Sequence, residues 1–316
     1  MIINIILLTI GFVILIKGAD IFVEGASGIA ENLKVPKILI GLTIVAFGTS
    51  APEFAVSIKS LLSNSGDIVL GNVIGSNILN ILLILGISSL IHSLNVKSAT
   101  VKKELPITLL ISTLFAVLLS DNLFDKGAVN SFSRSDGVIL VLFFMVFIYY
   151  LISISRKKVE VEDESNVLPI WKAIIYTICG IAGIVLGSNF VVDSATHIAG
   201  ILGVSERMIA LTIIALGTSL PELATSVTAT KKGEYDIAIG NVVGSNIFNI
   251  GMVIGIPTAI FGGIPVITFS YIDLIVMLVA SVLLFMFSFN DYKITRTEGI
   301  IFLILFLAYY SYVVFA

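Results

Sequence analysis

The sequence predicts an all-α polytopic membrane protein, and three observations carry that prediction. The 316-residue chain is 57% hydrophobic and only 12% charged, with a mean hydropathy of +1.10, whereas a soluble domain carries about 25% charged residues. Apolar tracts recur along the whole chain at lengths of roughly 20 residues, enough for a helix to cross a ~30 Å hydrocarbon core. The period-2 alternation of a membrane barrel does not appear, and a helix satisfies its own backbone hydrogen bonds in lipid.

Ten helices are expected, near residues 2–24, 36–61, 67–92, 104–120, 136–154, 168–190, 206–230, 234–260, 267–288 and 297–315. The first is read as a retained span. No basic residue precedes Ile2–Ile16, and Lys17, Gly18, Ala19 and Asp20 follow it instead of a small-residue cleavage site. The second and third are apolar but interrupted by glycine, proline and polar side chains. The fourth and fifth are plain apolar runs, closed by the polar stretch SRKKVEVEDESN, Ser155–Asn166. That stretch reads as a solvated linker. It divides the chain into a first membrane repeat at 1–154 (helices 1–5), a linker at 155–167 and a second membrane repeat at 168–316 (helices 6–10).

Two checks support the count. Alternating the connections from side to side collects 13 Lys and Arg on one side and 4 on the other, with Lys17 left inside the first helix. By the positive-inside rule the richer side is cytoplasmic, so the linker faces the cytoplasm and both termini face outward. Sliding the sequence by 169 residues then aligns IGLTIVAFGTSAPEFAVS with IALTIIALGTSLPELATS, and DIVLGNVIGSNILNI with DIAIGNVVGSNIFNI. From Ile38 to Ile81, 23 of 44 positions are identical to their counterparts. Five helices per half is an odd number, so the second half enters the membrane from the opposite side. Two inverted repeats of this kind are typical of secondary transporters.

Other chemistry has little support. The single cysteine, Cys179, excludes a disulfide framework or a cysteine metal cage, and His92 and His197 lie far apart without metal-ligand spacing. A net charge of -3 and the lack of a basic cluster with interleaved aromatics argue against nucleic acid. No Ser/His or paired-Asp signature marks a hydrolase, so the chain is read as a non-enzyme without a cofactor. Trp171, Tyr149, Tyr150, Tyr309 and Tyr310 suit an aromatic belt at the headgroups. The acidic run Glu160–Glu164 reads as solvated loop.

Polar residues concentrate instead inside the duplicated segments. The second and seventh helices hold Thr49, Ser50 and Glu53, matched by Thr218, Ser219 and Glu222; the third and eighth hold Asn72, Ser76, Asn77 and Asn80, matched by Asn241, Ser245, Asn246 and Asn249. A charge at bilayer depth costs about 2.5–3.5 kcal/mol even on lenient scales. No Lys or Arg near either glutamate in sequence lies at matching depth, so the missing partner is a bound cation or a proton. Gly48 and Pro52, and Gly217 and Pro221, should break each helix just before its glutamate, freeing carbonyls near Ala46, Phe47, Ala215 and Leu216. An all-oxygen shell with two carboxylates suits a hard cation such as Ca²⁺, which takes 6–8 oxygens in flexible geometry. Several Na⁺ or two protons would satisfy the same charges, and mutually exclusive occupancy is a physical basis for antiport.

GTSAPE with GNVIGSNILN, repeated as GTSLPE with GNVVGSNIFN, closely resembles the two repeats of the sodium/calcium exchanger family, in its prokaryotic form with a short central loop. The resemblance spans the whole chain. It implies that Glu53 and Glu222 bind Ca²⁺ and share Na⁺, and that Thr49, Ser50, Ser76, Thr218, Ser219 and Ser245 complete the Na⁺ sites with the carbonyls of Ala46 and Ala215. It places Asn80 and Asn249 beside the central site and gives the first and sixth helices a sliding role. Potassium-dependent relatives carry an aspartate at the position of Asn249, so the amide points to a potassium-independent exchanger. The expected function is therefore Na⁺/Ca²⁺ antiport across the cell membrane by a monomer, with Ca²⁺ and Na⁺ as transported partners. An H⁺/Ca²⁺ exchanger of the same fold is the alternative, and a cation channel a more distant one.

Overall fold

The computed structural model describes residues 1–63, 66–124, 130–156, 167–203, 215–265 and 270–315. It is all-helical apart from two minimal strand pairs. By length and apolarity seven of the described helices could cross a membrane, or eight when one bent pair counts as a single span.

Two helices of 32 residues, α1 (Ile2–Leu33) and α7 (Ile170–Ile201), pack along one another. At 1.5 Å per residue each is about 48 Å long, more than a bilayer core is thick. Both run well past the expected ends at 24 and 190. The polar residues that suggested those ends are carried on the helix, and the extra turns are held by close packing. A Cβ on Gly25 would lie 2.6 Å from the Thr177 amide, and one on Gly18 would lie 2.7 Å from the Ile184 amide. Gly11 meets Gly187 and Val191 in the same way, so glycines at seven-residue spacing form a seam of direct backbone contact.

The second span is broken as expected. Helix α2 (Lys37–Thr49), which widens into a π-helical turn over Gly41–Val45, ends at Ser50, and α3 (Ala51–Leu62) departs at 45°. Pro52, in the first turn of α3, occupies a position whose N–H has no intrahelical acceptor. Its counterpart repeats this: a turn at Ala215–Gly217, a break at Thr218 and Ser219, then α8 (Leu220–Lys231) with Pro221 in the first turn. Residues 206–214 of the expected seventh helix lie outside the described residues.

Helices α4 (Gly66–Ile91) and α9 (Tyr235–Phe261) form the centre, and α9 is the more deeply enclosed. Each contains a π-helical stretch, Leu79–Leu85 in α4 and Asn249–Ile254 in α9, at matching repeat positions. Around them lie α5 (Glu104–Leu118), α6 (Arg134–Ser155), α10 (Tyr271–Phe289) and α11 (Arg296–Phe315). Residues 267–269 of the expected ninth helix and 157–166 of the linker lie outside the described residues.

Two antiparallel pairs staple the halves together, an addition to the all-α expectation. Leu94 and Asn95 pair with Ile294 and Lys293, and Ser131 and Phe132 pair with Pro265 and Ile264. Next to the first pair, the connection between α8 and α9 is held by ion pairs. Lys37 reaches Glu31 at 2.8 Å and Glu234 at 2.7 Å, Lys97 reaches Asp236 at 2.5 Å, and Lys232 reaches Asp20 at 2.7 Å. His92 stacks on Tyr235 there.

Candidate cation-binding site

The breaks in the second span and its counterpart bring both glutamates into the centre of the helix bundle. Glu53 and Glu222 are each 1% exposed. Among the described residues neither forms an ion pair, and the salt bridges there join peripheral groups. A buried charge without a partner is strongly destabilising. Among the described residues neither oxygen of Glu53 has a hydrogen-bond donor, and one oxygen of Glu222 also lacks one. The other accepts from the Ser50 hydroxyl at 3.2 Å.

Several of the remaining predicted residues are hydrogen-bonded to one another across the two halves. Thr49 donates to the Asn241 side-chain oxygen at 3.0 Å and approaches the Ser245 hydroxyl at 3.5 Å. Ser219 donates to the Ser76 hydroxyl at 3.5 Å. Thr218 is half-buried and its hydroxyl has no partner among the described residues. Asn80 and Asn249 are both buried, and in each the amide oxygen lacks a donor among the described residues. Asn80 lies inside one π-helical stretch and Asn249 opens the other, a placement common at functional sites.

The carbonyl of Ala46 differs from expectation. It accepts from the Ser50 amide at 3.0 Å and from the Thr49 hydroxyl at 3.3 Å, so the break leaves it engaged instead of free. The turn keeps one normal helical bond because proline removes a donor only at position 52. In the second half the Leu216 carbonyl accepts from the Ser219 amide at 3.2 Å, and that of Gly217 accepts from Ser188 at 3.1 Å. Ala215 begins the short turn before the break.

Sequence reasoning noted Asn241, Asn77 and Asn246 without giving them a role, and it passed over Ser188. The asparagines carried the one usable signal, their exact duplication at +169. Ser188 carried none.

The donor set fits a hard cation. Among the described residues five carboxylate or amide oxygens, from Glu53, Glu222, Asn80 and Asn249, lack a hydrogen-bond donor, and the Thr218 hydroxyl has no partner. Native interiors seldom leave such groups unpaired without a functional reason. Asn72 adds one unpartnered amide nitrogen. Cys179, the one cysteine of the sequence, is exposed on α7.

Comparison with known proteins converges on one family. The family model described as "Sodium/calcium exchanger protein" matches residues 3–153 and 172–315. The putative antiporter CaxA of Alkalimonas amylolytica is 37% identical over the full length of both chains. The sodium/calcium exchanger MaX1 of Methanosarcina acetivorans is 31% identical over 97% of each chain. A solved structure of the sodium-calcium exchanger NCX_Mj superposes with a TM-score of 0.86 at 32% identity, covering 98% of each chain. With a family model spanning both halves and full-length relatives above 30% identity, the chain belongs to the sodium/calcium exchanger family, whose members are transporters.

Proposed function

We propose that this protein exchanges Na⁺ for Ca²⁺ across the cell membrane by alternating access, the two ions competing for one site built on Glu53 and Glu222. The observation that carries the reading is the pair of buried carboxylates with three donor-less oxygens and, among the described residues, no ion-paired cationic side chain. Two negative charges balance one divalent ion, or monovalent ions in its place. Empty, the site would keep both charges in a low-dielectric interior, where they resist enclosure. That resistance couples the two ions, because closing over an empty site is costly.

In this reading Thr49, Ser50, Ser76, Asn80, Thr218, Ser219, Ser245 and Asn249, with the carbonyl of Ala215, form the oxygen shell, and the carbonyl of Ala46 joins it only if the Thr49 hydroxyl turns away. The chain spans the membrane ten times in two inverted repeats, 1–154 and 168–316, joined by a cytoplasmic linker, with both termini outside. The matched breaks at Ser50 and Ser219 and the matched π-helical stretches support the repeat. The two strand pairs, each joining one half to the other, support it also. The long seam of α1 and α7, with glycines in backbone contact, suits a pair that moves as a unit against the rest.

Proteoliposomes loaded with Na⁺ should take up labelled Ca²⁺ faster than Na⁺-free controls. Equal uptake in the two would overturn Na⁺ coupling. Uptake driven by a pH gradient without Na⁺ would assign the coupling to protons.

A further inference from the structure

We propose that Asn77 and Asn246, to which the resemblance gives no role, are positioning residues. Each fixes the amide of a partner in the opposite repeat so that oxygen, and not N–H, is offered to the cation. The proposal rests on the reading of Glu53 and Glu222 as the cation site.

The four asparagines are buried, at 1% for Asn77, Asn80 and Asn249 and 0% for Asn246. Their hydrogen bonds run in one direction. Asn77 donates its amide N–H to the Asn246 backbone carbonyl at 3.4 Å, and Asn246 donates to the Asn77 backbone carbonyl at 3.5 Å. A backbone carbonyl can only accept, so these contacts decide which edge of each amide carries nitrogen. The oxygens of Asn77 and Asn246 are thereby turned the other way. Asn249 donates to the Asn77 Oδ1 at 3.1 Å, and Asn80 donates to the Asn246 Oδ1 at 2.9 Å. Those bonds use the N–H groups of Asn80 and Asn249, and the chain ends at two Oδ1 atoms without a donor.

Both ends thus present an acceptor, and they do so on both sides of the repeat relation. Had the amides served only to hold helices together, as polar residues in membrane helices often do, their terminal oxygens would need donors as much as their nitrogens need acceptors. A cation supplies what those lone pairs lack. Turning either terminal amide over would aim N–H at the cation and set two Oδ1 atoms against each other. The device also bears on the amide at 249. A carboxylate there would bring an oxygen against the Asn77 Oδ1, and so would need a proton to keep that bond.

The test is Ca²⁺ binding by isothermal titration calorimetry on the purified full chain in detergent without Na⁺. Wild type should bind. N77L and N246L should each weaken binding about 10–100-fold, the usual cost of losing a group that orients a metal ligand. Because Asn77 acts through Asn249, N77L/N249L should bind no more weakly than N249L alone, to within about two-fold. N246L/N80L against N80L is an independent cycle, which serves if either single variant of the first is not monodisperse. Wild-type affinity in N77L and N246L, or additive losses in both cycles, would overturn the proposal. A wild-type protein that binds no Ca²⁺ would instead overturn the site reading on which it rests.

Discussion

Glu53 and Glu222 occupy matched positions of a duplicated sequence, yet their surroundings differ. Glu222 accepts from Ser50, and the carbonyl of its own residue accepts from Asn241 at 3.3 Å. Asn241 also donates to Ser226 at 2.9 Å and accepts from Thr49. Around Glu53 the corresponding groups lack partners: both carboxylate oxygens, the Ser57 hydroxyl and the Asn72 amide nitrogen have none among the described residues. Repetition of sequence therefore supplies the same groups twice but commits them differently. One glutamate is held through one of its oxygens, and the other has no hydrogen-bond donor among the described residues.

The largest predicted effect is shared by both halves. Glu53→Gln and Glu222→Gln keep shape and remove charge, and each should reduce Na⁺-driven Ca²⁺ uptake by more than about 100-fold, beyond the 10–100-fold typical of residues that only support a ligand. Retention of uptake in either would break the claim that both carboxylates are needed. The hydroxyl pair then separates the halves. Hydrogen bonds to charged groups contribute about 1.5–3 kcal/mol, so Ser50→Ala should weaken Ca²⁺ binding about ten-fold or more. For Ser219→Ala, whose hydroxyl donates to the neutral Ser76 hydroxyl at 3.5 Å, the expected loss is under about three-fold. Equal losses would erase the asymmetry.

Stability should divide the same way. Asn241→Leu strands the groups it joins and should cost about 1–3 kcal/mol in detergent melting experiments. Asn72→Leu removes an unpartnered donor and should be neutral or stabilising. The smallest effects lie in the peripheral ion pairs. Lys37 is 31% exposed and bridges two acids, and Lys97 is 61% exposed. Lys37→Ala should cost about 1 kcal/mol and Lys97→Ala under about 0.5 kcal/mol by the same melting assay.

Much of this was legible in the sequence. Gly48, Pro52 and Glu53 announced a broken helix around a buried carboxylate, because proline's missing donor and the cost of a membrane charge are local facts. The copy at Gly217, Pro221 and Glu222 announced a second. The ends of α1 and α7 were not legible. Polar residues such as Glu24 and Ser27 look like an exit from the membrane until the packing of Gly25 on Thr177 shows that the helix continues. The unequal hydrogen bonding of the two glutamates was hidden for a stricter reason. Ser50, Asn72 and Ser57 are identical in type to Ser219, Asn241 and Ser226, so no pattern in the residues distinguishes one half from the other.

The central claim is that Glu53 and Glu222 lack a protein counter-charge because the transported ion provides it. Its most direct test is calorimetric Ca²⁺ titration of the wild type and of the two Glu→Gln variants, with and without Na⁺. The account predicts Ca²⁺ binding to the wild type, displaced by added Na⁺, and loss of that binding in each variant. Ca²⁺ binding that survives unchanged in both variants would contradict it.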